Sequence, residues 1–353
     1  MRVEKLNHQP IDCALIGYGR WGRILADRLV DHLDFQLRAI CDLKVHTLKE
    51  RSDVHCTTSI SDILDNPEID TVFVAVPPEQ HFIVASSALL HNKHVWLEKP
   101  CCTSQEELAE LIEMAQLHQR ALHLNFITIY NPLFQDLKAW FIEHCQSDHT
   151  HLTSYRVNHL YPEIQRVDQI DLVYDLGIHD LCMIKKLIPS LEVDQVAFSL
   201  FALDNGEEIE INENRLCSLR VEHPKVTANL YMGWWMKGKK REFIVHRPQH
   251  KDTSLYLAHD PEIGAIEVLE IDECGRQVIH LNGERIDALH NSLEALKIQR
   301  RDLRYEEAWD LGIFLHRLID QLKGIGIQSL IDERLRAQSS RKSSPARQGR
   351  GVT

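Results

Sequence analysis

Three short segments hold residues whose types and spacing suit chemistry. The first, Ile16-Gly17-Tyr18-Gly19-Arg20-Trp21-Gly22, is a GxGxxG run that follows an apolar strand and opens a helix. In that setting Gly17 permits a tight turn, Gly19 lets the backbone approach a pyrophosphate, and Gly22 lets the helix pack on the strand. Free amides at the helix start and the helix dipole favour the phosphate charge. Asp42 lies 20 residues after Gly22, at the end of the next strand. A carboxylate there accepts hydrogen bonds from both adenosine ribose hydroxyls and repels a 2′-phosphate, which predicts NAD rather than NADP; Lys44 offsets part of that repulsion.

The second segment is Val95-Trp96-Leu97-Glu98-Lys99-Pro100, a strand that ends in a charged pair and a proline. Proline holds the residue before it extended, so Lys99 projects from the C-terminal edge of a sheet, where α/β proteins bind ligands. A solvated lysine at a strand end fits the same local pattern. The third segment, Asp171 to Asp180, sets Asp175 and His179 four residues apart. On a helix they share a face, and a carboxylate there stabilises the imidazolium form of a histidine base. A surface His–Asp pair has the same spacing. Nothing resembles HExxH or another ligand cluster among the 21 histidines, so no metal is expected.

Elements must position these groups. Asp12–Ile16, Phe35–Cys41, Thr71–Val76, His94–Leu97 and Ala121–Phe126 read as strands. Between them, Trp21–Leu33 shows Ile24, Leu25, Leu29 and Leu33 at helical spacing. Phe82–Leu90 is a second helix, and Ser104 with Glu107 forms a capping box for a third that runs to about His118. Such alternation gives an α/β fold with a doubly wound parallel sheet over residues 1–125. The rhythm then changes. Helices over Leu133–His144 and Ile170–Ile188 accompany strand-like runs at Leu152–His159, Val193–Leu203, Leu216–Val221, Thr227–Tyr231, Phe243–His246 and Ile266–Ile271, and a helix follows at Glu306–Leu322. That pattern predicts an α+β domain with an open, mostly antiparallel sheet over residues 126–336. Residues 337–353 are basic and polar and are expected to be a disordered tail.

The 353 residues carry 40 Lys plus Arg against 52 Asp plus Glu, a net charge of −12, which argues against general nucleic-acid binding. With 44% hydrophobic residues and no apolar run of membrane-spanning length, the chain reads as globular rather than embedded. Nine cysteines, an odd number without a paired CxxC, read as reduced thiols; with no secretory h-region they place the protein in the cytoplasm.

Taken together, the GxGxxG, the strand Val72–Val76 with Pro77, Pro78 and His81, Glu98-Lys99-Pro100 and Asp175-x-x-x-His179 resemble the Gfo/Idh/MocA family (glucose–fructose oxidoreductase, inositol dehydrogenase and rhizopine-catabolism proteins). The resemblance runs from Ala14 to about Ile188 and continues more faintly beyond. It implies a Rossmann domain followed by an open-sheet domain, and NAD(P)-dependent oxidation of a secondary hydroxyl on a sugar, nucleotide-sugar or cyclitol. It also implies a cis bond before Pro100 and a homodimer or homotetramer paired through the open sheet. By the same resemblance Gly17, Tyr18, Gly19, Arg20, Trp21, Gly22, Asp42, Pro77, His81, Glu98 and Lys99 would bind the cofactor, and Lys99, Asp175 and His179 would form the catalytic set. Arg156, Asn158 and Tyr161 fall near the expected cleft as candidates for binding substrate hydroxyls. Whether Lys99 or His179 takes the proton stays open at this point.

Trp234-Trp235 reads as packing. Lys237, Lys239, Lys240 and Arg241 read as a solvated run, with attraction of a diphosphate as the sharper alternative. Two departures bear on substrate identity: Ile127–Asn131 has no Arg before Pro132, and Cys101-Cys102 follow Pro100. A dinucleotide-binding sensor without chemistry is the second function class. A reductase of apolar substrates is a third, and Asp42 counts against its NADP.

Overall fold

A computed structural model of the chain describes residues 9–44, 54–145, 149–159, 172–200, 215–235, 240–246, 254–259, 266–271, 277–279, 287–303 and 306–324. The first sheet is built from β1 (Ile11–Ile16), β2 (Phe35–Cys41), β3 (His55–Thr57), β4 (Thr71–Val74), β5 (His94–Glu98) and β6 (Leu122–Asn125). Its order is β3-β2-β1-β4-β5-β6, with every neighbouring pair parallel. β4 and β5 are buried along their whole length, as strands covered on both faces must be. The order reverses between β1 and β4, the point at which such sheets open a crevice. Gly17 follows β1 there.

The covering helices are α1 (Arg20–Asp31), α2 (Ser61–Leu64), α3 (His81–Leu90) and α4 (Gln105–Leu117). α1 buries Gly22, Leu25, Ala26 and Leu29, whereas Ile24 is half-exposed and Leu33 fully so. The apolar stripe therefore follows i, i+3, i+4, i+7 from Gly22, and the helix stops at Asp31, before the expected Leu33. Ser104 caps α4 by accepting the Glu107 N–H (3.2 Å). The Glu107 carboxylate, expected to return to Ser104, takes the Thr103 N–H and hydroxyl instead, both at 2.8 Å.

α5 (Pro132–His144) leads into β7 (Thr150–His159). A helix described from residue 172 follows; it opens with one π turn, Val173–Gly177, and continues as α6 (Ile178–Leu187). The second sheet adds β8 (Val196–Leu200), β9 (Arg215–His223), β10 (Val226–Trp235), β11 (Lys240–His246), β12 (Ser254–His259), β13 (Ile266–Ile271) and β14 (Gln277–Ile279). Its order is β14-β13-β12-β11-β7-β10-β9-β8, antiparallel except for the β7–β10 pair. The expected strand at Val193 begins three residues later, after a 3-10 turn. Two helices close the described chain, α7 (Ala288–Asp302) and α8 (Glu306–Gly324). They return to the first sheet: Trp309 Nε1 donates to Leu122 O of β6 (3.0 Å), and His123 of β6 meets Ser292 of α7 (2.9 Å).

Candidate active site

The turn after β1 is shaped by its glycines. Gly17 has φ +100°, and a Cβ there would lie 2.4 Å from Ala75 O; a Cβ on Gly22 would lie 2.1 Å from Gly17 O. A Cβ on Gly19 would meet nothing within 4 Å, so the face of the loop in front of Gly19 is open. Gly19 is the N-cap of α1, and no side chain caps this helix nor does an acid sit in its first turn. Its terminal amides are thus available to a phosphate. Tyr18 is buried, Trp21 half-buried and Arg20 exposed. Asp42 is oriented by two backbone amides, Tyr18 N–H to Oδ2 (2.7 Å) and Lys44 N–H to Oδ1 (2.8 Å). Each carboxylate oxygen keeps a further acceptor site. These residues fit the pyrophosphate and ribose of a dinucleotide.

At the end of β5 the Lys99–Pro100 peptide is cis. His81 is buried between this turn and the exit of β4, with Nδ1 2.7 Å from Pro100 O and Nε2 2.8 Å from Val76 O. Burial holds its ring below the usual histidine range, and a neutral ring donates to one of these carbonyls at a time. Pro77 precedes the short 3-10 turn that leads into α3. Glu98 is buried, and its carboxylate accepts from Lys99 N–H (3.0 Å) and Asn125 Nδ2 (2.8 Å). Burial pushes this carboxyl up, and the Asn125 amide and the Lys99 charge pull it back. The support continues through the core: Ser292 Oγ donates to Asn125 Oδ1 (2.8 Å), His123 Nε2 lies 2.9 Å from Ser292 Oγ, and His123 Nδ1 lies 2.7 Å from Gln299.

Lys99 reaches across to the second half of the chain. Its Nζ donates to the backbone O of Asp175 (2.9 Å) and to Asp175 Oδ1 (3.1 Å). The π turn that holds Asp175 widens the helix by one residue at this contact, a distortion found often at functional sites. One turn on, His179 Nδ1 pairs with the hydroxyl of Thr128 (2.9 Å). Nδ1–H donating to Thr128 leaves the Nε2 lone pair for a substrate proton. Burial first, and then the cations Lys99, Arg156 and Arg241, hold this imidazole well below the usual histidine range, so it is neutral at ordinary pH.

Lys99 and Asp175 therefore meet beyond the C-terminal end of β5, with His179 one turn on and within reach of the Lys99 charge. The GxGxxG turn and Asp42 follow β1 and β2 at the same edge of the sheet. The helical spacing predicted one shared task for Asp175 and His179; the structure gives Asp175 to Lys99 and the His179 Nδ1 to Thr128. Arg156 is bound by Asp180, through Nε at 2.9 Å and a terminal nitrogen at 2.5 Å. The side chain of Asn158, Tyr161, Lys237, Lys239 and the tail lie outside the described residues. Arg241 corrects the reading of its run as solvated: it is half-buried and registers opposite Arg156. Sequence reading missed Thr128, Asn125, Asp180 and Ser292. The first two stand on the stretch beside the absent Arg, and Asp180 follows His179 directly. No local pattern marks Ser292.

Cys101 and Cys102 are buried free thiols, pushed up by burial. One group of metal-ligand types gathers among the described residues, His32, His290 and Glu294. His32 Nδ1 accepts the Asp34 N–H (3.2 Å), which leaves the ring proton on Nε2, and Lys297 binds Glu294 (2.6 Å). Both features oppose a cation. Among the described residues no helix is long and apolar enough to cross a membrane.

Residues 11–126 match the family described as oxidoreductase family, NAD-binding Rossmann fold, GFO_IDH_MocA. The chain is 27% identical over 213 residues to the uncharacterised oxidoreductase YrbE of Bacillus subtilis (strain 168), covering 58% of this chain and 61% of that relative. It is 24% identical over 270 residues to scyllo-inositol 2-dehydrogenase (NADP(+)) IolW of the same organism, covering 71% and 73%. The solved structure of UDP-N-acetylglucosamine 3-dehydrogenase GnnA from Acidithiobacillus ferrooxidans superposes with a TM-score of 0.70 at 21% identity, over 89% of this chain and 96% of that one. Residues 11–126 thus match the NAD-binding Rossmann fold of the Gfo/Idh/MocA oxidoreductases, and the fold of the chain, second sheet included, is similar to that of the solved dehydrogenase.

Proposed function

We propose that this protein is an NAD(P)-dependent oxidoreductase that transfers a hydride between a secondary hydroxyl of a sugar, nucleotide-sugar or cyclitol and a nicotinamide. The observation that carries the reading is the bond from Lys99 Nζ to Asp175 (3.1 Å), which joins the edge of the first sheet to the helix that bears His179. Relatives named for an inositol and for a UDP-sugar support the substrate class. The bound dinucleotide would supply the hydride chemistry. Gly17, Gly19 and Gly22 would seat its pyrophosphate and Asp42 its ribose, with Tyr18, Arg20, Trp21, Pro77, His81 and Glu98 shaping the rest of that site.

His179 Nε2 removes the hydroxyl proton, because the ring is neutral and Thr128 holds its other nitrogen. Lys99 donates a hydrogen bond to the same oxygen and stabilises the charge that develops there. Asp175 holds the ammonium in place before substrate arrives. Asp42 favours NAD over NADP, and free thiols among the described cysteines favour a reducing cytoplasm. Pairing into dimers or tetramers through the open sheet belongs to the same proposal.

The test is NADH or NADPH formation with inositols, free sugars and UDP-sugars. Turnover is expected with at least one class, and Lys99→Ala lowers it by about 1000-fold or more while cofactor binding persists, the size expected when proton-transfer help and oxyanion stabilisation are lost together. Unchanged turnover in Lys99→Ala overturns the role of the lysine. Clean cofactor binding without turnover on the whole panel shifts the reading to a sensor. NADP binding tighter than NAD by about 10-fold, or about 1.4 kcal/mol, overturns the role of Asp42.

A further inference from the structure

Glu98 stands directly before Lys99, yet no proton-transfer step of the proposed reaction uses its carboxyl. It is buried, which favours the neutral form. Its hydrogen bonds favour the opposite. Oε2 accepts the Lys99 N–H (3.0 Å), and Oε1 accepts Asn125 Nδ2 (2.8 Å). A proton on either oxygen would meet a donor already in place. The Trp21 indole N–H of α1 faces the same carboxyl and is buried with no other partner. The remaining groups that face it are the Lys99 ammonium and the buried Cys101 thiol, both from the chain that continues β5. Asn125 is the register partner of Glu98 on β6 and is itself fully buried. The far end of its amide is committed as well, because Oδ1 accepts the Ser292 hydroxyl (2.8 Å). Ser292 has His123 Nε2 (2.9 Å) and Trp96 Nε1 (3.4 Å) on its other sides. An amide can meet a carboxyl in two ways. With Nδ2 toward it, the amide donates to a carboxylate; turned over, its oxygen accepts from a carboxylic acid. The Ser292 proton on Oδ1 selects the first.

We propose that Asn125 is a positioning residue that holds Glu98 as a carboxylate behind the reactive lysine, with Ser292 of α7 fixing which end of the amide does so. The role rests on the oxidoreductase reading and adds to it a residue that never touches the substrate. Asp175 holds the lysine by its ammonium, and Glu98 holds it by its backbone amide. A carboxylate at Glu98 keeps negative charge beside the Lys99 ammonium, which favours the charged donor that the substrate oxygen needs. Protonation of Glu98 removes that charge and leaves the lysine with Asp175 alone.

The pH dependence of turnover and of the carboxylic-acid infrared band tests this in wild type, Asn125→Leu, Glu98→Gln and the double variant. Without the Asn125 donor, Glu98 keeps its proton to higher pH. Turnover of Asn125→Leu is expected to fall about 10- to 100-fold below wild type at about pH 6, the size of a hydrogen bond to a charged group, and to recover most of that loss by about pH 8.5. At the lower pH a carboxylic-acid band beyond that of wild type appears in Asn125→Leu and vanishes in the double variant. In the Glu98→Gln background Asn125→Leu causes no further loss of turnover. A loss of equal size at every pH, or no additional band, shows a packing role alone and overturns the proposal. Should Asn125→Leu not fold, Asn125→Asp, which has the same shape, decides. A second carboxyl in place of the donor forces the pair to share a proton, so wild-type turnover at about pH 6 overturns the proposal. The additional band without turnover of any sugar keeps the role of Asn125 and removes the oxidoreductase reading. Turnover with a pH profile that Asn125→Leu leaves unchanged does the reverse.

Discussion

At the scale of single residues, the site depends on which proton each group holds. Thr128 is the positioning residue that sequence reading passed over, since a threonine in a 3-10 turn has no chemical signature of its own. Its hydroxyl lies 2.9 Å from His179 Nδ1, and with Nδ1–H donating to it the Nε2 lone pair is left open. Thr128→Val is expected to lower kcat/KM about 10-fold, the value of one hydrogen bond of about 1–1.5 kcal/mol. The acid limb of the pH–rate profile, already below the usual histidine range, moves lower still, because the lost bond favoured the imidazolium. Thr128→Ser restores both. An unchanged pH profile with normal activity in Thr128→Val would show that the hydroxyl only fills space.

The elements show why some of this was legible and some was not. β1, β4 and β5 announce themselves as short apolar runs, and the glycines and acid of the dinucleotide turn sit at fixed distances along the chain. Lys99 and the Asp175–His179 helix are legible as motifs, whereas their meeting is not, because it joins two sheets. The support behind Glu98 is harder still: Asn125 and His123 come from β6 and Ser292 and Gln299 from α7, more than 160 residues apart. This buried chain has a measurable consequence. Burial pushes His123 down to about 4. Above pH ~6.5 neither state binds a proton at this ring; below it the unfolded chain does and the folded chain does not, until about pH 4. Stability is therefore lost as pH falls through that window, by about 2–3 kcal/mol between pH 7 and 4.5. Urea unfolding at the two pH values checks this: His123→Gln, although weaker at pH 7, loses that much less on acidification. An equal loss in both proteins would remove His123 as the cause.

On the scale of the whole molecule, the last described helix decides whether the two sheets behave as one body. α8 lies between them. Toward the first sheet, Trp309 donates to Leu122 O, His316 Nε2 accepts the Cys102 N–H (3.1 Å), and Asp320 Oδ2 accepts the Gln105 N–H (2.8 Å). Toward the second, Glu307 pairs with Lys186 of α6 (3.0 Å), and Lys185 sits over the Phe314 ring at 4.7 Å. The helix approaches so closely that a Cβ on Gly312 would lie 2.7 Å from Leu124 and 3.1 Å from Leu108. A wedge shared in this way should couple the unfolding of both halves, since each packs part of its apolar surface on α8. Single-tryptophan variants keeping Trp96 in β5 or Trp140 in α5 report on the two halves separately. Their unfolding midpoints should coincide, and Gly312→Val, which overpacks the wedge at a cost of about 1–3 kcal/mol, should lower both together. Two separated transitions, or a Gly312→Val effect confined to the Trp96 reporter, would mean that α8 belongs to the first sheet alone. The Lys99–Asp175 contact would then be the main tie holding the reactive groups in reach of each other.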